Sequence, residues 1–133
     1  MTMKVYEEDK VFQRATTTGW KTVVGTQINL LGIDFAFCPT YRNSQFAIDV
    51  FEVESGALVV SVPYAAADVY ANNTRDKAVE FYKNEIVGVV LSTFGKGDIK
   101  KMKKEIERVK KYVTNKIGER PDIIDLEEEN NEI

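Results

Sequence analysis

Leu31, Ile33, Phe35 and Phe37 alternate with Gly32, Asp34, Ala36 and Cys38 without a break. Large apolar residues on one parity and small or polar ones on the other describe a half-buried antiparallel strand. The chain must therefore build a sheet with one strongly apolar face. Pro39 is expected to end this strand, and the polar run from Thr40 to Ser44 to turn it before Phe46, Ile48 and Val50 resume the alternation. Phe51 and Val53 continue on the opposite parity, which predicts a bulge at Val50 and Phe51 or a strand covered on both faces. Glu54, Ser55 and Gly56 turn the chain into Ala57 to Val62, giving a three-stranded meander over residues 30–62. Upstream, residues 10–17 and 20–28 read as one or two more strands around a Thr18-Gly19 turn.

Residues 63–73 show neither period and read as a connection with room for one helical turn. Thr74 is a suitable N-cap for a helix carrying Ala78, Phe81, Tyr82, Ile86, Val89, Val90 and Phe94, a wide apolar stripe for packing on a sheet. Gly88 inside it costs roughly 1 kcal/mol relative to Ala, so a close backbone approach is expected there. Gly95-Lys96-Gly97 stops this helix, and Asp98 caps another whose Ile99, Met102, Ile106, Val109, Val113 and Ile117 recur every three or four residues. That narrow seam needs one partner surface, either within the chain or on a second copy. The expected fold is α+β: a meander of three to five antiparallel strands, then two C-terminal helices packed on one face. One domain would span residues 1–120, followed by a disordered acidic tail over residues 121–133.

The chain has no His and one Cys. This removes Ser-His and Cys-His nucleophile pairs, disulfides within the chain and multi-Cys metal sites. Cys38 ends an alternating strand and reads as a packed small residue. Asp34, Asp49, Glu52 and Glu54 read as solvent-facing strand positions, or as the acids of a Mg²⁺-dependent nuclease. The first ten residues lack an apolar h-region, and the longest apolar run, Ile86 to Leu91, is far shorter than the roughly 20 residues of a spanning helix. A cytoplasmic protein with no membrane span and no cofactor is expected.

The net charge of −3 conceals a sorted chain. Residues 1–95 carry 8 basic and 11 acidic side chains, residues 96–120 carry 10 and 4, and residues 121–133 carry 0 and 6. On a helical wheel Lys101, Lys104, Arg108 and Lys111 fall opposite the Ile99 to Val113 seam, a solvated face or an anion-binding one. The acidic tail and the net negative charge argue against nucleic acid.

These features point away from catalysis and toward binding. The cadence of strands and helices, the small size and the richness in Asn, Lys, Glu and Ile suggest an accessory, counter-defence protein of a phage or mobile element. As a homo-oligomer it would sequester an anionic, nucleotide-like small molecule or block a host protein. Arg42, Arg75, Lys104, Arg108 and Lys111 are the candidate phosphate contacts, and Trp20, Tyr41 and Tyr82 the candidate base-stacking rings. The alternative is an oligomeric regulatory or structural module, paired through Ile99, Met102, Ile106, Val109 and Val113, and the nuclease is a further one.

Overall fold

The computed structural model describes residues 3–94 and 98–126. Among the described residues seven antiparallel strands are present: β1 (Met3–Val5), β2 (Lys10–Thr16), β3 (Gly19–Leu30), β4 (Ile33–Arg42), β5 (Gln45–Glu52), β6 (Leu58–Pro63) and β7 (Ile124–Asp125). Their order is β6-β5-β4-β3-β2-β7, with β1 also paired to β3. The helices are α1 (Ala66–Ala71), α2 (Arg75–Phe81), α3 (Val87–Thr93) and α4 (Ile99–Ile117), with a π-helical turn, Tyr82–Ile86, joining α2 to α3. The α+β class is thus as expected, but the sheet is larger than three to five strands. The two additions, β1 and β7, are too short for a period of two to show in the sequence.

Two strand boundaries also differ. Leu31 belongs to a hairpin turn, not to the strand: Leu31 and Gly32 have φ of 56° and 86°, and the Gly32 N–H donates to Asn29 Oδ1 at 3.0 Å. Pro39 lies inside β4, paired with Ile48. The Val53 N–H donates to the Asp34 carbonyl, so even-numbered residues of β4 bond β5 and odd-numbered ones face β3. Pairing between β3 and β4 ends at Thr26 and Phe37. Pro39 therefore lacks its N–H at a position with no strand acceptor opposite, where proline is tolerated.

The sheet bends within β3. Residues up to Gly25 pair with β2, and those from Thr26 onward pair with β4. The β2–β3 hairpin thereby leaves the plane of the other strands, and a second small core forms from Phe12, Ala36, Cys38 and Phe51, with Val23, Val53 and Ile123 against it. The larger core takes the opposite parity of β4 and β5: Ile33, Phe35, Phe37, Ile48 and Val50, together with Tyr82, Ile86, Val87, Val90, Met102 and Ile106. Each such side chain contributes roughly 1.5–3 kcal/mol when fully buried. β5 is therefore buried on both faces from Ala47 to Glu52. The expected phase slip is present as well, as a register shift between Val50 and Phe51. Val50 pairs with Val60 and Phe51 with Leu58, leaving Val59 as the extra residue on β6.

The helix caps follow expectation, since Thr74 Oγ1 accepts from the Lys77 N–H and Asp98 Oδ1 from the Lys101 N–H, both at 3.2 Å. Gly88 departs from it: a Cβ there would meet nothing within 4 Å, so no close approach explains this glycine. The segment expected to be disordered from residue 121 instead contains β7, with Ile124 opposite Val11 and Asp125 opposite Lys10. The Gly95-Lys96-Gly97 turn and the acidic stretch 127–133 lie outside the described residues.

Candidate binding surfaces around the last helix

α4 is held by one side. Met102, Ile106 and Val113 are buried within the chain, while Lys101, Lys104, Arg108 and Lys111 are exposed. Arg108 pairs with Glu105 three residues earlier; among the described residues Lys104 and Lys111 make no salt bridge. Toward its middle the helix is tied to the β5–β6 turn by Lys110, whose Nζ donates to Glu54 Oε1 at 2.9 Å. At its end the Trp20 indole N–H donates to the Gly118 carbonyl at 3.2 Å. Trp20 itself is packed on that same turn, since a Cβ on Gly56 would lie 2.4 Å from its Cζ3.

A groove runs along each flank of α4. On one flank two contiguous hollows share Glu54 and Arg120; they also contain Asp34, Glu52, Glu107 and Glu119 among Lys103 and Lys110. Five acids face three bases on that side, so it is the acidic flank of the helix. On the other flank lies a groove of about 650 Å³ between the end of β2, the start of β6 and the C-terminal half of α4. Its walls are Ala15, Ala57, Leu58, Val109, Tyr112, Val113 and Ile117, and its only charged residues among those described are Arg14 and Lys116. Leu58 and Tyr112 are 45% and 61% exposed there. The Arg14 guanidinium lies 5.2 Å from the centre of the Phe51 ring, and its Nε is buried without a hydrogen-bond partner among the described residues. Lys116 Nζ stands 5.8 Å over the Tyr112 ring.

The eight residues expected to form one ligand site are dispersed. Arg42 sits at the tip of the β4–β5 hairpin, where its guanidinium donates to both carboxylate oxygens of Asp49 at 2.7 and 3.2 Å. Tyr41, beside it, stacks with Phe46 at 4.6 Å. Arg75 donates to Asp9 Oδ1 at 2.9 Å and to the Tyr6 carbonyl at 2.7 Å. It shares a hollow with Tyr82, but Tyr82 is only 3% exposed and packs 5.4 Å from Phe37, as a core residue and not an open stacking platform. Lys104, Arg108 and Lys111 share one exposed surface, and neither the Tyr41–Arg42 pair nor the Arg75–Tyr82 pair joins them. Of the seam residues expected at an oligomer interface, Met102, Ile106 and Val113 are already buried by the chain's own packing, while Ile99 is exposed and Val109 half-buried.

Of the strand acids expected to face solvent, Glu54 is exposed and Asp34 half-buried, but Asp49 and Glu52 are not solvent-facing. Asp49 and Glu52 are 2% and 3% exposed. Burial pushes the Asp49 carboxyl up, but hydrogen bonds from Arg42 and Ser61 outweigh it and hold it below its ordinary range. Burial dominates at Glu52 and raises it, although its two oxygens accept the Glu54 and Ser55 backbone N–H groups at 2.7 Å each. Asp34 accepts from Asn29. Each of these acids thus has a structural partner, and among the described residues no group of three or more His, Cys, Asp or Glu comes together as a metal site. The buried Cys38 thiol is pushed up to about 12, first by burial and then by Asp49 and Asp9, so it stays protonated and unreactive at neutral pH.

Arg14, Leu58, Tyr112 and Lys116 were not singled out by sequence reasoning. One signal was available: Arg14 shares parity with the core residue Phe12 in β2 and must point to the same covered side. No family model matches this chain, and neither do any curated protein or solved structure. Among the described residues no helix is long and apolar enough to cross a membrane.

Proposed function

We propose that this protein is a non-catalytic binding protein that docks an anionic partner, an acidic protein surface, on the outward face of α4. The observation that carries this reading is the row of Lys101, Lys104, Arg108 and Lys111, all exposed on a helix whose opposite side is buried through Met102, Ile106 and Val113. A helix fixed on one side presents its cations at set positions, which steers and orients an oppositely charged partner. We take α2, α3 and α4 to lie on one face of the sheet, as supported by their shared core with Phe35 and Phe37. A small enclosed anion draws less support on this face, because Trp20, Tyr41 and Tyr82 stand elsewhere and offer no ring beside the cations. Pairing of two copies through the seam also draws less support, since most of its apolar residues are spent within the chain.

Calorimetric titration with a poly-glutamate peptide tests this reading. Binding is expected at low salt, weakening as ionic strength rises, and the double variant Lys104→Glu with Arg108→Glu should abolish it while thermal unfolding stays cooperative. Equal affinity in that variant would overturn the assignment.

A further inference from the structure

The groove on the Arg14 flank of α4 has properties that the outward basic face does not account for. The other four hollows described in this chain each contain at least one carboxylate. This one contains none among the described residues, while Glu52 and Glu105 line the hollow that adjoins it through Ala57, Leu58 and Val109. Arg14, at its edge, is near enough to Asp49 for its charge to help lower that carboxyl, but it makes no ion pair among the described residues and its Nε is buried without a partner. A buried donor left unpaired is costly, and buried polar groups are nearly always bonded. The aliphatic and aromatic walls, with Leu58 and Tyr112 turned outward, leave apolar surface uncovered beside this cation. An apolar groove with a few convergent polar groups and a volume of about 650 Å³ lies within the range of small-molecule sites.

We infer that this groove binds a small amphipathic anion, one carboxylate or phosphate carried on an aromatic or aliphatic body. The anionic head meets the terminal Nη groups of Arg14, which suit carboxylate and phosphate oxygens alike, the Nε being closed to the groove. The body lies along Leu58, Val109 and Ile117, and the ring of Tyr112 stacks on it if it is aromatic. Lys116, above Tyr112, supplies a second positive charge at the rim. Phe51 beneath the guanidinium holds its plane in position before the ligand arrives, which limits the ordering cost of binding. This site is separate from the outward basic row and does not depend on it.

The test uses the full chain and four probes in fluorescence and calorimetric titrations: 1-anilinonaphthalene-8-sulfonate, AMP, decanoate and inorganic phosphate. The sulfonate, with its anionic head on an aromatic body, should bind at one site per chain. Decanoate or AMP should displace it, and which of the two does so distinguishes an aliphatic from an aromatic ligand. Inorganic phosphate should not compete, because it lacks a body. Arg14→Met should weaken the sulfonate at least tenfold, and Tyr112→Ala, at an exposed position, should weaken it severalfold with unfolding unchanged. Lys104→Glu with Arg108→Glu should leave it intact, so failure here is distinguishable from failure of the outward-face reading. Unchanged affinity in both Arg14→Met and Tyr112→Ala, or competition by inorganic phosphate alone, would overturn the inference.

Discussion

A Cβ placed on Gly25 would lie 2.3 Å from the carbonyl oxygen of Phe37 and 2.7 Å from the Cys38 sulfur. The backbones of β3 and β4 therefore touch where β3 passes from its pairing with β2 to its pairing with β4. Because the nearest atom belongs to backbone, no rotamer change relieves the clash. Gly25→Ala should cost roughly 1–3 kcal/mol, the range of overpacking in a tight core, and lower the midpoint of chemical denaturation. A midpoint equal to that of the wild type would mean that the bend is not a tight joint.

Gly88 is the contrasting case. It sits within the helical run from α2 to α3, is exposed, and a methyl group added to it would have nothing within 4 Å. Gly88→Ala should therefore stabilise by roughly 0.5–1 kcal/mol through helix propensity and a less flexible unfolded chain. A loss of stability on this substitution would show that the backbone there is needed for something other than a regular helix.

These two glycines show where the sequence is legible. Local signals located β4 and β5, both helix caps and the Val50–Phe51 slip, because each is set by neighbours within a few residues, but they misplaced both ends of β4 and missed that Ala36 and Cys38 bury its second face. The bend at Gly25 depends on Phe37 and Cys38, and the pairing of β7 depends on Lys10 and Val11; neither distance along the chain leaves a periodic trace. The candidate site fails for the same reason. Arg42, Arg75 and Trp20 are chemically suitable cations and rings, but Asp49 claims the first across the β4–β5 hairpin, and Asp9 and Gly118, brought up by tertiary contacts, claim the others. The basic row on α4 was legible because a single helix carries it.

The edge of the sheet also bears on assembly. Among the described residues β6 is the last strand on its side, and Tyr64 donates its N–H to the Phe46 carbonyl. By alternation Ser61 and Pro63 turn their backbone groups away from β5. Pro63 has no N–H to offer, and the extra residue Val59 breaks the spacing at the other end, two devices that blunt edge pairing. Native mass spectrometry should show no dimer that depends on this edge. Ser61→Pro, which removes the one remaining outward N–H between them, should leave the oligomeric state unchanged; conversion of a dimer to monomer by that substitution would contradict the blunted edge.

Asp49 gives the protein an acid dependence with a defined sign. Burial works against its charge, but Arg42 and the Ser61 hydroxyl, 2.6 Å away, hold its carboxyl below the ordinary range. A native pKa lower than the unfolded one, about 4, adds stability that is present above that value and lost as pH falls through the native pKa. Glu52 acts in the opposite sense: its raised native pKa withholds stability at neutral pH, and this is regained as pH falls through it. Asp49→Asn should lower stability at pH 7 by roughly 1–3 kcal/mol, the cost of leaving buried partners unmatched, and should flatten the further loss below pH 4. Denaturation midpoints between pH 2 and 7 measure both, and an acid slope identical to the wild type would assign that loss to other carboxylates.

Arg14→Met separates the stability of the fold from the use of the groove. Methionine keeps an unbranched apolar stem over Phe51 and removes a buried Nε that has no hydrogen-bond partner among the described residues. Relief of an unpaired buried donor is worth roughly 1–3 kcal/mol, and loss of the cation–π contact with Phe51 offsets about 0.5–1 of it. The ligand-free variant should therefore unfold at a slightly higher temperature than the wild type. At an amphipathic anion concentration 100 times the wild-type dissociation constant this advantage should shrink by about 1.3 kcal/mol or more, because binding adds about 2.7 kcal/mol to the wild type and, after a tenfold loss of affinity, only about 1.4 to the variant. Arg14 would thus be a residue that lowers the stability of the empty protein and offsets that loss in the loaded one. Thermal unfolding with and without 1-anilinonaphthalene-8-sulfonate checks both halves, and a variant less stable than the wild type in the absence of any ligand would show that Arg14 serves the fold instead.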